Sequence, residues 1–166
     1  PLENANNKNF GLPNTYEFLR SLKVSNNDIN FICKSIQNFH FLSTSLSSNL
    51  NDSSLYDICT TCEDKLLPGL LLQTCTLPFP DKWENNENEK LISYTKILNF
   101  YFLRYLPVLE EKALLNGDDL IKIFNITPSP KLGEALQNIQ RAQILGNIKT
   151  PAEAEALAAK ILQPQK

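Results

Sequence analysis

Apolar residues recur at steps of three and four along almost all of this sequence, and only five glycines interrupt them. Such steps place side chains on one stripe of an α-helix, whereas a half-buried strand needs alternation at every second residue. The pattern is clear in Ile29, Ile32, Cys33, Ile36, Phe39 and His40. It returns in Leu132, Ala135, Leu136, Ile139, Ala142, Gln143 and Leu145. No segment reads as a strand and there is no internal repeat. The expectation is an all-α fold, an irregular bundle of about seven to nine helices. A chain of 166 residues has room for one helical domain or two small ones sharing a core.

Capping residues divide the pattern into helices. Residues 1–11, beginning PLENANNKNF, read as a flexible leader. Asn14 or Thr15 can cap a first helix, and Ser25 with Asp28 has capping-box spacing for a second. STSLSSNLNDSS reads as a polar loop, with Asp52 or Ser53 starting the next helix through Leu55, Ile58 and Cys59. KLLPGLLLQTCTLPFP reads as a buried helix that begins at Pro68 and stops at Pro78 and Pro80. DKWENNENEK reads as a solvated loop. Residues 90–106 are apolar on nearly all sides and predict a central helix, which Pro107 ends or briefly continues. Asn116 and Gly117 turn the chain, and Asp118 caps a short helix carrying Leu120, Ile121, Ile123 and Phe124. Ser129 and Pro130 open another helix, which Gly146 closes in the left-handed conformation. Thr150-Pro151-Ala152-Glu153 is a capping box that starts an Ala-rich last helix, ending near residue 162.

Composition narrows the function classes. With 42% hydrophobic and 20% charged residues, the chain is globular rather than disordered. Its longest apolar run, Leu66 to Leu72, is broken by Pro68 and Gly69, far short of the roughly 20 residues a membrane span needs. The N-terminus has no signal-peptide character, and methionine is absent even at position 1, so a piece of a longer chain is expected. The net charge is -2. Residues 117–166 carry Lys122, Lys131, Arg141, Lys149, Lys160 and Lys166 against Asp118, Asp119, Glu134, Glu153 and Glu155, a balance of +1, which leaves -3 for the rest. Any basic face therefore lies toward the C-terminus. Cys59 and Cys62 have the spacing of half a zinc site, but Cys33, His40 and Cys75 supply no second half. The four cysteines read as free thiols of a reducing cytoplasm, with no metal site.

The residues offer little for catalysis. His40 is the sole histidine, and its aromatic neighbours favour a structural role. The adjacent pairs Asp118-Asp119 and Glu110-Glu111 point in different directions on a helix. No phosphate-gripping glycine loop or nucleophile elbow is present. Independent catalysis by this chain is not expected, and no catalytic residue is assigned. For binding, the helix start at Ser129 to Leu132 offers free N–H groups beside Lys131, and Gly133 would let a ligand approach. The competing reading is that Gly133 serves tight helix packing and Lys131 is merely solvated. Tyr94, Lys96, Tyr101, Arg104 and Tyr105 mix aromatics with cations as an RNA-stacking surface does, but on so apolar a helix core packing is the favoured reading.

The C-terminal block carries a resemblance. LLNGDDLIKIFNITPSPKLGEALQNIQRAQILGNIKTPAEAEALAAKIL resembles the C-terminal end of bacterial tRNA nucleotidyltransferases and poly(A) polymerases. Matching positions include Leu115, Gly117, Asp119 and Leu120; Pro128, Pro130 and Gly133; and Gln143, Gly146, Ile148, Thr150, Glu153 and Ala154. Ser129 departs from the family's usual glycine. Upstream, LKVSNNDINFICKSI and LPGLLLQTCTL are similar to two further segments of the family, so the likeness spans roughly residues 12–162.

The resemblance implies a class II nucleotidyltransferase body and tail: a helical body over 12–116, related to HD phosphohydrolases, and a helical tail over 117–166. The metal-binding Asp of an HD region would fall in the LLLQTCTL helix, where no acid stands between Asp64 and Asp81. The HD metal site is therefore expected to be absent, although a degenerate phosphohydrolase stays a third reading. The catalytic head, with its magnesium and nucleoside triphosphate, would lie outside this sequence, and this part needs no cofactor. The implied partners are tRNA or another RNA and the N-terminal catalytic domain of the same chain, with no membrane. Lys131, Arg141 and Lys149 are the candidate RNA contacts, by phosphate rather than base. The alternative is a helical protein-interaction or dimerisation scaffold without RNA binding. Whether a parent enzyme adds CCA, A alone or poly(A) is not legible, nor is the oligomeric state.

Overall fold

The apolar stripes and caps do fold as helices. The computed structural model describes residues 12–46, 50–77, 85–110 and 113–162. Its helices are α1 (Leu12–Ser21), α2 (Asn26–Ser45), α3 (Asp52–Cys62), α4 (Leu66–Cys75), α5 (Asn85–Phe100), α6 (Leu106–Glu110), α7 (Gly117–Phe124), α8 (Pro130–Ile144) and α9 (Pro151–Leu162). A 3-10 turn, Glu63–Lys65, joins α3 to α4, and a π-helical turn, Tyr101–Tyr105, joins α5 to α6. No strand occurs among the described residues, and the expected all-α class holds. Among them no helix is long and apolar enough to cross a membrane. The leader 1–11, the helix stop at Pro78 and Pro80, and residues 81–84 of the expected loop lie outside the described residues.

Several boundaries move for local reasons. α2 runs on through Ser43 and Thr44, expected as loop, and their hydroxyls are satisfied by bonding back to the carbonyls of Phe39 and Phe41 inside the helix. α3 starts at Asp52, one of the two expected starts, behind Asn51, whose side chain accepts from the Ser54 N–H at 2.8 Å. α4 starts at Leu66, so Pro68 lies within the first turn, where a missing N–H costs nothing. Residues 85–89, expected as loop, form the first turns of α5. Asn88 and Glu89 are exposed there. Pro107 supplies a reason for the π-turn. Its ring would clash with the Leu103 carbonyl in a regular helix, and the wider turn, with the Leu106 N–H bonded to the Tyr101 carbonyl, relieves this.

Packing divides the chain into two compact units. The first comprises residues 1–50 and 58–95, the second 51–57 and 96–166. Packing groups residues 96–116 with the C-terminal helices, while the resemblance counts them in the body.

In the first unit α2 lies against α4 with no room to spare. A Cβ at Gly69 would come within 2.9 Å of the Asn38 Cβ and 3.2 Å of Leu42 Cδ1. The same contact carries a buried polar network. Asn38 donates to the Cys62 carbonyl at 2.9 Å, and Gln73 donates to the Phe39 carbonyl and to Ser43 Oγ. The Tyr94 hydroxyl donates to Gln73 Oε1 at 3.4 Å. No buried side-chain polar atom lacks a partner among the described residues, so the network adds specificity without an unpaired group.

In the second unit α7, α8 and α9 enclose a core of Leu120, Leu132, Ala135, Ile139, Ala154 and Ala158. Ala154 and Ala158 are fully buried, and their small size lets α9 sit close to its neighbours. The helix through residues 90–106 is not buried all round. Tyr94, Ile97 and Phe100 are buried, but Ile92, Phe102 and Leu103 are exposed.

Candidate nucleic-acid interface

The candidate site is built on the caps of α7, α8 and α9. Asn116 caps α7, its side chain accepting from the Asp119 N–H at 2.9 Å while the Asp119 carboxylate accepts from the Asn116 N–H at 3.0 Å. The expected cap, Asp118, instead sits exposed in the first turn. The Asn-Gly pair read as a turn conceals this capping box, which satisfies two helix-end donors at once. Gly117 faces Leu136, at an ordinary 3.7 Å from where a Cβ would be. Pro128 is exposed before α8, and Pro130 occupies its first turn behind the cap, Ser129, which accepts from the Leu132 N–H at 3.4 Å.

Gly133 departs from the packing expectation. A Cβ there would meet nothing within 4 Å, so tight helix packing does not require this glycine. The backbone it bares is open to solvent, one turn into α8. At the other end, Gly146 has φ +76°. The Asn147 N–H bonds the Ala142 carbonyl at 2.8 Å and the Gly146 N–H the Gln143 carbonyl at 3.0 Å, a Schellman closure that needs a left-handed residue. Thr150 and Glu153 form the expected capping box, with the Glu153 carboxylate accepting from the N–H groups of Lys149 at 2.7 Å and Thr150 at 3.1 Å. Those bonds hold the Glu153 carboxyl below its ordinary pKa.

The three candidate contacts do not form one cluster. Lys131 is exposed in the first turn of α8. Arg141 lies ten residues on, about 15 Å along the axis at 1.5 Å per residue. Lys149, also exposed, follows the helix end. Arg141 is already engaged. Its Nη2 donates to Ser53 Oγ at 3.0 Å and lies 3.5 Å from Asp57 Oδ1, and its guanidinium stands 4.9 Å over the Tyr56 ring. Burial raises the Tyr56 hydroxyl pKa, with the Arg141 charge opposing.

Sequence reasoning missed the role of Arg104. Its Nη1 donates to Asp52 at 2.7 Å and its Nη2 to the Leu145 carbonyl at 2.7 Å, and it lies over the Phe100 ring. It thus neutralises the carbonyl end of α8 from the π-turn. The first turns of α3 therefore take both arginines of this unit. No local signal reports such pairs, whose members stand 52 and 88 residues apart. Among the aromatics, Tyr94 and Tyr105 are buried and Tyr101 stacks on Tyr105 at 5.9 Å, which accords with core packing. Phe102 and Leu103 are exposed beside them.

The thiols and histidine lie elsewhere. Cys59 and Cys62 are fully buried, and burial pushes their pKa values up to about 12 and about 11. Burial lowers that of His40. Among the described residues no group of three or more His, Cys, Asp or Glu side chains is placed to hold a metal ion.

A family model described as tRNA nucleotidyltransferase domain 2 matches residues 9–161. The chain belongs to this family. The match spans both units of the chain and agrees with the resemblance read from its C-terminal motifs. Among curated proteins, an A-adding tRNA nucleotidyltransferase of Deinococcus radiodurans is 36% identical over 62 residues, 34% of this chain and 14% of the relative. A CC-adding tRNA nucleotidyltransferase of Geobacter sulfurreducens is 37% identical over 49 residues, 30% of this chain and 11% of the relative. The matched part of the chain therefore covers a small fraction of these relatives' lengths. No solved structure matches it.

Proposed function

We propose that this chain is the RNA-binding body and tail of an enzyme that extends RNA 3' ends, and that it holds tRNA by its phosphates. The family match over residues 9–161 carries the reading. The named activities of the similar curated proteins, A-adding and CC-adding, agree with it. On that reading nucleotide addition, with its magnesium and nucleoside triphosphate, belongs to a catalytic domain outside these residues, and the protein works in the cytoplasm.

The geometry supports a backbone-gripping role more than base reading. Lys131 stands exposed at the start of α8, where the helix dipole favours an anion. Gly133, open and bare, leaves room for a phosphate to approach that turn. Lys149 adds a cation beyond the other end of α8. Cations at both ends of α8 suit a ligand whose charges repeat along a polymer. Filter binding of the 166-residue chain with tRNA tests the reading. Saturable binding that weakens steeply with salt is expected, and no binding at low salt refutes it.

A second reading has its own support. Leu103 is 73% exposed, and Phe102 and Leu109 are exposed on the same stretch, an apolar surface suited to a protein partner. A chain that self-associates or captures a protein partner, yet ignores tRNA, would establish that scaffold role instead.

A further inference from the structure

We propose that Asp57 is a built-in competitor for Arg141, a carboxylate that holds the guanidinium in the free protein and yields it to an RNA phosphate. The proposal rests on the RNA-binding reading and adds to that site Ser53, Tyr56 and Asp57 of α3.

The two arginine pairs of the second unit differ in kind. Arg104 meets Asp52 at 2.7 Å, the length of a good charge-assisted bond, and also binds the Leu145 carbonyl. It is fixed at both ends of its fork. Arg141 meets Asp57 only at 3.5 Å, and the side chains of both are well exposed, 43% and 61%. An ion pair that long and that wet is weakly held and readily exchanged. Arg141 is held besides by its place over the Tyr56 ring, 4.9 Å from the centroid, and by its bond to Ser53 Oγ.

A guanidinium held over a ring still presents N–H edges. Those edges match phosphate as well as carboxylate, because both offer paired oxygens to the fork. A phosphodiester in place of Asp57 would leave the Tyr56 contact and the Ser53 bond to hold the guanidinium. The carboxylate then acts as a threshold: it lowers affinity for every anion and admits those whose neighbouring phosphates are gripped elsewhere.

A double-mutant cycle on the full 166-residue chain tests this, with tRNA binding measured by filter retention at fixed low salt. Asp57→Asn keeps shape and removes the charge, and is expected to tighten binding about two- to fivefold. In an Arg141→Gln background the same change is expected to gain nothing. Glu155→Gln, an exposed acid on α9, controls for net charge and is expected to gain less than Asp57→Asn. Arg141→Lys, which keeps the charge but loses the fork, replaces Arg141→Gln if the latter does not fold, and there the gain should shrink. A gain that persists undiminished without Arg141, an equal gain from Glu155→Gln, or no gain at all overturns the proposal while leaving RNA binding intact. If no form binds tRNA, the RNA-binding reading falls and takes this proposal with it.

Discussion

Replacing Gly69 by alanine should destabilise the protein, although alanine is the better helix former. Gly69 lies inside α4, where the exchange by itself favours the helix by about 1 kcal/mol. The packing opposes it. The new Cβ would stand 2.9 Å from the Asn38 Cβ, 3.2 Å from Leu42 Cδ1 and 3.3 Å from the Asn38 carbonyl carbon. Two of those atoms are fixed to the α2 backbone and cannot swing aside, so the helices must separate. Such overpacking costs about 1–3 kcal/mol. Separation also strains the buried bond from Asn38 to the Cys62 carbonyl, and breaking it costs a further 1–3 kcal/mol or so. The net expectation is a loss of about 3 kcal/mol, or about 6–12 °C in melting temperature for a chain of this size. Gly133→Ala is the matched control, since its Cβ meets nothing within 4 Å and should give a gain of about 0.5–1 kcal/mol. Chemical denaturation followed by circular dichroism reads both. Equal or greater stability for Gly69→Ala would refute the close α2–α4 contact.

Other consequences are local. The Glu153 carboxyl is held below its ordinary value by the N–H groups of Lys149 and Thr150, so its contribution should be full above about pH 4.5 and fade as pH falls through the lowered folded value. Comparing unfolding midpoints of the wild type and Glu153→Gln between pH 7 and pH 3 checks this, and the wild-type advantage should shrink only at the acid end. Cys59 and Cys62 should resist thiol reagents at neutral pH, whereas the exposed Cys75 should react at once. Timed labelling with mass spectrometry reads each thiol, and fast modification of Cys59 in the folded chain would contradict its burial.

What the sequence revealed was what is local. Ser25, Ser129, the Thr150–Glu153 box and the left-handed Gly146 were legible because each cap bonds within four residues of itself. Asn116 misled because one residue can serve either a turn or a cap, and only the reciprocal bond to Asp119 decides. The π-turn was half legible, since Pro107 marked a disturbance without saying which kind. The links made by Arg104 and Arg141 were not legible at all. Their partners on α3 are set by how helices pack, and a periodic pattern records which face is buried but not against what. The same limit applied to Gly133, a glycine whose neighbourhood only three-dimensional packing could show to be empty.

The central claim is that this chain grips RNA through phosphates, with Lys131 among the contacts. The most direct test is a tRNA titration across salt concentrations with the wild type and Lys131→Glu. The claim predicts weaker binding for the variant and a shallower dependence of log K on log salt, by about one unit, because one phosphate is no longer neutralised. Unchanged affinity and slope at low salt would remove Lys131 from the interface, and a wild-type chain that does not bind tRNA would contradict the claim as a whole.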